Sequence, residues 1–122
     1  MDAAYGGAAA LLPERREVLA GVDLADSLVV NPHKWLLVPM DCSALYLRDP
    51  ACLKAAFSLT PAYLSTPEAG AVNNYMDWGV QLGRRFRALK LWMVLSHYGR
   101  QGLAAIIAEH CRLARALADR ID

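Results

Sequence analysis

The run Ser27-Leu28-Val29-Val30 stops at Asn31-Pro32, and that junction constrains the chain more than any other. A short apolar, partly β-branched run reads as a buried strand. Proline has no N–H to give to a sheet ladder, so the strand cannot continue past it. Beyond the break come His33, Lys34 and Trp35, and then a second apolar stretch, LLVPM. A cation therefore stands at the rim of a core. Either Lys34 is a surface lysine whose methylenes lie along apolar neighbours, or its amine is held in a pocket to do chemistry. For a lysine taken alone the first reading is the commoner, because short motif matches carry many false positives.

Around this junction the pattern alternates. Asp2 to Tyr5 reads as the tail of a strand opening into the small-residue stretch GGAAA. Pro13 starts a short helix, PERREVLAGV, with Glu14 and Glu17 favouring its N-terminus and Gly21 ending it. CSALYL, Cys42 to Leu47, is a second strand, and PACLKAAF from Pro50 a further short helix. The segment 58–82 holds Pro61, Pro67, Gly70, Asn73, Asn74 and Gly79, and reads as one long loop. Loops beyond roughly 15 residues are usually functional or disordered. Tyr63, Tyr75 and Trp78 argue against plain disorder here. Two amphipathic helices close the chain. The first carries a stripe of Leu82, Phe86, Leu89 and Met93 and ends at Gly99. The second carries Leu103, Ile106, Ile107, Cys111, Ala114, Leu117 and Ile121. Strands separated by short helices indicate an α/β class.

Composition narrows the function classes. The 122 residues suit one domain, and with 56% hydrophobic and 20% charged residues the chain is globular. The net charge of +1 and a longest basic cluster of only RRFR, Arg84 to Arg87, exclude a nucleic-acid face or attraction to an acidic membrane. No apolar run reaches the roughly 18 residues of a membrane span. The start carries Asp2 and lacks the basic residues of a signal peptide. Cys42, Cys52 and Cys111 form no CxxC pair, so no metal site is expected. They read as reduced, mostly buried thiols of a cytoplasmic protein.

An ordinary lysine, with a pKa of about 10.4, is a poor nucleophile at neutral pH. Partial burial or positive neighbours would lower that value and let Lys34 form an imine with a carbonyl. Asn31 and His33 can hydrogen-bond a phosphate. Asp2 stands at another expected strand end. If the two strands are parallel, their carboxyl ends share the edge at which open α/β sheets bind ligands. An acid and a lysine there suit pyridoxal phosphate: the lysine holds the aldehyde carbon and the acid keeps the pyridine nitrogen protonated. The other reading of Asp2 is an exposed terminal carboxylate.

DAAYGG, ADSLVVNPHKWLLVPMDCSALYLRD, LTPAYLS and LGRRFRALKLWMVLSHYG together closely resemble the group II pyridoxal-phosphate-dependent amino acid decarboxylases, and best the aromatic-L-amino-acid decarboxylase branch. The resemblance spans nearly the whole chain. It implies an α/β fragment of the large domain of a type I, aspartate aminotransferase-like enzyme, with pyridoxal 5'-phosphate as cofactor. Lys34 resembles the residue of the internal aldimine, and Asp2 the partner of the pyridine nitrogen. The resemblance also implies cofactor contacts for Ala4, Asn31 and His33, the last two at the phosphate. Tyr63 is similar to the tyrosine of the family's mobile catalytic loop, which protonates the substrate carbon after carbon dioxide leaves. That loop reaches toward the neighbouring subunit, so a homodimer is implied. Residues 58–82 would form the loop region, and 83–122 the helices leading toward a C-terminal domain. Relatives that oxidatively deaminate to an aldehyde carry phenylalanine where Tyr63 stands, so tyrosine favours plain decarboxylation to the amine.

The resemblance makes aromatic amino acids the first expectation for the substrate, although glutamate, cysteine sulfinate and diaminobutyrate decarboxylases share the outline. It also implies further family segments before Met1 and after Asp122, so the 122 residues alone are expected to bind cofactor poorly and to be inactive. The alternative is a catalytically inactive remnant or interaction module whose closing helices pack on a partner. Joint retention of Asp2, His33, Lys34 and Tyr63 favours the enzyme. His97 and His110 read as structural or surface residues, Trp35 as core packing beside the site, and Arg84, Arg85 and Arg87 as a charged helix face with one buried pair.

Overall fold

The computed structural model describes residues 1–58 and 72–121. The chain forms two compact units, one of Met1–Leu47 with the residues from Arg87 onward, the other of Arg48–Phe86.

The first unit is built around strand β1, Ser27–Val30, and strand β2, Ala44–Leu47. They pair antiparallel, with Ser27 opposite Leu47 and Val30 opposite Ala44. Strand β1 has the bounds expected of it, because Pro32 removes the next ladder donor. Strand β2 is shorter than the expected Cys42–Leu47: Cys42 and Ser43 are used instead to hold the loop that follows β1. On the other side of β1 the first residues run parallel to it, through a bridge between Asp2 and Val29. The amide of Val29 donates to the carbonyl of Met1 at 3.2 Å, and the amide of Ala3 to the carbonyl of Val29 at 3.0 Å. The sheet is thus mixed.

Three 3-10 helices join the first segment to β1: Gly6–Leu11, Pro13–Leu19 and Val22–Leu24. PERREVL forms the expected turn of helix, but with the tighter i→i+3 pattern, as in the 2.9 Å bond from Ala20 N to Glu17 O. The GGAAA stretch packs its small side chains inward. Ala8 and Ala9 are buried, and Gly7 lies so close to the strand that an added Cβ would stand 2.7 Å from the Cβ of Ala3.

Helix α2, Arg87–Ile121, is interrupted at Gly99, whose φ of 61° and ψ of 178° are not helical. Glycine takes that positive φ at little cost, and it divides the helix where the sequence indicates. The helix begins later than the apolar stripe suggests. Leu82 and Phe86 lie before it and are 63% and 75% exposed, and Leu89 and Met93 are also exposed. The second stripe is the one that makes the core. Leu103 and Ile107 are 1% and 0% exposed, and Ile107 packs on Ala8 and Leu12, with Leu11, Trp35, Leu36, Ala104 and Cys111 around them. Full burial of a side chain of this size contributes about 1.5–3 kcal/mol. Within the expected arginine face, Arg87 forms a part-buried ion pair: its Nε donates to Asp41 Oδ2 at 2.8 Å.

In the second unit, helix α1 spans Ala51–Phe57. Asp49 starts it by accepting the Ala51 amide at 2.9 Å on Oδ1. A 3-10 turn, Tyr75–Trp78, packs against α1, with the Lys54 ammonium 5.7 Å from the Trp78 ring centre. Tyr63 and the whole of LTPAYLS, residues 59–65, lie outside the described residues.

Candidate active site

Parallel pairing sets the direction of everything at one sheet edge. The first segment and β1 run the same way, so both release their chains at the same end. The amide of Asn31 donates to the carbonyl of Ala4 at 3.1 Å, so the pairing persists one residue past β1. Ala4 is therefore tied to the loop through its backbone. Asp2 is exposed, and its Oδ1 accepts the Ala4 amide at 2.9 Å. Its other oxygen carries no hydrogen bond among the described residues.

Across β1 the β2 register also extends beyond the strands. Ser43 Oγ donates to Asn31 Oδ1 at 2.6 Å. The Asn31 amide oxygen is thereby used, and its NH2 remains as the donor group. One residue further, His33 Nδ1 lies 2.6 Å from the carbonyl oxygen of Cys42 and 3.0 Å from its amide nitrogen. Protonated, Nδ1 donates to the oxygen; unprotonated, it accepts from the amide. Either tautomer ties the ring to Cys42, and Nε2 is the nitrogen left for a ligand. The His33 amide also donates to Cys42 O at 3.2 Å.

Lys34 follows directly. Its amide donates to Asn31 O at 2.9 Å, which closes the turn, and its side chain is exposed. Among the described residues its ammonium has no ion-pair or hydrogen-bond partner. The cavities of about 450 Å³ beside Leu36 and Leu103 and of about 400 Å³ beside Cys111 do not include it.

The residue after Lys34 is held as firmly as the one before. The Trp35 ring stacks on Tyr5, with centroids 5.1 Å apart and planes 17° from parallel. Its Nε1 donates to His110 Nδ1 at 3.0 Å, and the indole borders the Ile107 cluster. The core packing expected of Trp35 is therefore present, and the hydrogen bond and the Tyr5 stack are additions. Reading the sequence misses Tyr5, Ser43 and the His110 bond. The hairpin register could have indicated Ser43 opposite Asn31. Nothing in the residue pattern joins Trp35 to His110.

The structure thus brings Asp2, Ala4, Asn31, His33 and Lys34 to one edge, whereas Tyr63 falls outside the described residues. The model of the pyridoxal-dependent decarboxylase conserved domain matches residues 1–122. Aromatic-L-amino-acid decarboxylase of Drosophila melanogaster is 48% identical over 119 residues, covering 98% of this chain and 23% of that protein. The Bos taurus enzyme of the same name is 48% identical over 118 residues, 95% of this chain and 24% of that one. Among solved structures, Oryza sativa TDC with PLP and tryptamine matches with a TM-score of 0.79 and 44% identity, over 85% of this chain and 22% of that one. Rhodiola rosea 4-hydroxyphenylacetaldehyde synthase matches with a TM-score of 0.82 and 39% identity, over 98% of this chain and 23% of that one. The chain spans about a quarter of the length of these relatives, and its fold is the corresponding piece of a type I pyridoxal-phosphate enzyme. On the strength of the match over all 122 residues, the chain belongs to the pyridoxal-dependent decarboxylase family.

Proposed function

We propose that this chain is the part of an amino acid decarboxylase that carries the lysine and the acid for pyridoxal 5'-phosphate, and that the whole enzyme converts an aromatic L-amino acid to its amine and carbon dioxide. The observation that carries this reading is the parallel bridge of Asp2 with Val29, together with the Ala4–Asn31 bond. They bring an acid and a lysine out at one sheet edge, where α/β folds bind ligands.

The donor set at that edge fits the cofactor. Asp2 keeps one carboxylate oxygen without a partner among the described residues, Asn31 keeps its NH2, and His33 keeps Nε2. These match a protonated ring nitrogen on one side and an anionic phosphate on the other. When bound, the cofactor supplies an electron sink for the pair released as carbon dioxide leaves. Lys34 would hold the cofactor's aldehyde carbon through its amine. Asp2 holds a proton at the ring nitrogen, and that positive charge strengthens the sink. Asn31 and His33 bind and orient the phosphate by hydrogen bonds that favour its charge. Tyr63 delivers a proton to the substrate carbon, a step typically worth 10² to 10⁴ in rate for a positioned acid. A homodimer of the full-length enzyme is part of the same reading.

The aromatic substrate class rests on the relatives named aromatic-L-amino-acid decarboxylase. The test is product analysis of the full-length enzyme with phenylalanine, tyrosine, tryptophan and dihydroxyphenylalanine. Equal amounts of amine and carbon dioxide from one or more of them support the proposal. Turnover of glutamate or cysteine sulfinate alone contradicts the substrate class, and no carbon dioxide from any amino acid contradicts the activity.

A further inference from the structure

Lys34 stands between two anchored residues. On one side the His33 ring is tied to the backbone of Cys42. On the other, Trp35 is stacked on Tyr5 and donates its indole N–H to His110. The lysine itself is exposed and, among the described residues, has no side-chain partner. Its chain of four methylenes has many rotamers, so where its amine can reach depends on how firmly its backbone is held. The His33 anchor belongs to the hairpin, and the Trp35 anchor comes from the far end of the sequence. His110 lies on α2 beyond the Gly99 break, three residues from Ile107, which has no exposed surface. The indole is therefore tied to the helix whose Leu103 and Ile107 form part of the core.

We propose that the Trp35–His110 hydrogen bond is a positioning device for Lys34, fixing the turn that presents its amine to the cofactor. The proposal rests on the function proposed above. It requires His110 to keep a lone pair on Nδ1 and its proton on Nε2, because the indole can only donate. It also separates two jobs of the Trp35 ring. Stacking on Tyr5 and bordering the Ile107 cluster is packing, which a phenylalanine ring could replace in large part. Donation to His110 is orientation, which phenylalanine cannot supply. The distinction matters because a side chain that only fills space would not be sensitive to the loss of one N–H.

The test uses the full-length enzyme with Trp35→Phe, His110→Phe, the double variant, and His110→Gln, whose amide oxygen can still accept. Each single loss should lower kcat about three- to tenfold, the scale of one net hydrogen bond, with KM little changed. Each should also move the pH midpoint of the bound cofactor's absorbance change in the same direction. The double variant should match the singles, because both remove one bond. His110→Gln should restore both readouts. In the cofactor-free enzyme, amide hydrogen exchange across residues 31–38 should be faster in the two single variants and near the parent rate in His110→Gln. Singles that leave kcat and the absorbance midpoint unchanged, or a double variant in which their effects add, would overturn the positioning role. Borohydride labelling of the unsubstituted enzyme separates this from failure of the underlying function. Label on Lys34 with silent variants defeats the positioning role alone, whereas no label on Lys34 defeats the function and the positioning role with it.

Discussion

Asp2 and Val29 face each other across a parallel bridge, and this relationship runs the segment that carries an exposed carboxylate in the same direction as the strand that leads to an exposed lysine. Were the pairing antiparallel, Ala3 and Ala4 would run back toward Ser27, and Ala4 could not accept the Asn31 amide as it does.

Asp2→Asn keeps the size of the side chain and its bond to the Ala4 amide, but removes the charge. The full-length variant should lose about ten- to a hundredfold in kcat, since a hydrogen bond to a charged group is worth about 1.5–3 kcal/mol. Cofactor affinity, measured by dialysis and absorbance, should fall as well. Unchanged kcat would show that Asp2 does not serve the ring nitrogen.

Tyr63→Phe removes the hydroxyl proposed as the proton donor and leaves the ring. Amine release should fall by about 10² or more, as expected for the loss of a positioned general acid, and aldehyde and ammonia should rise. An unchanged amine yield would count against Tyr63 as the donor.

Much of the fold can be read from residues whose local physics is decisive. Pro32 ends β1, Asp49-Pro50 starts α1, and Gly99 divides α2, because each imposes a backbone rule of its own. Lys34, His33 and Asn31 were legible for the same reason: they sit at a junction that proline defines. The first apolar stripe misleads. Leu82 and Phe86 have helical spacing, but the helix begins only at Arg87 and those side chains stay exposed. Periodicity records which face is apolar, and tertiary contact decides which face is covered. Trp35 with His110 could not be foreseen, because a hydrogen bond across 75 positions leaves no local pattern, whereas Ser43 with Asn31 follows once the hairpin register is known.

Gly7→Ala tests how the site's first strand is held. The new methyl would stand 2.7 Å from the Cβ of Ala3, an atom that cannot swing aside. Overpacking of this kind costs about 1–3 kcal/mol. The full-length variant should melt several degrees lower and bind cofactor less tightly, since Ala3 lies between Asp2 and Ala4. An unchanged melting temperature would mean that the 3-10 turn does not press on the strand as described.

The most direct measurement reduces the full-length enzyme with borohydride in the presence of pyridoxal 5'-phosphate and maps the modified peptide by mass spectrometry. A phosphopyridoxyl group on Lys34, absent from Lys34→Ala, is the result expected if the edge shared by Asp2 and Lys34 is the active site. Modification of a different lysine, or none, would contradict it.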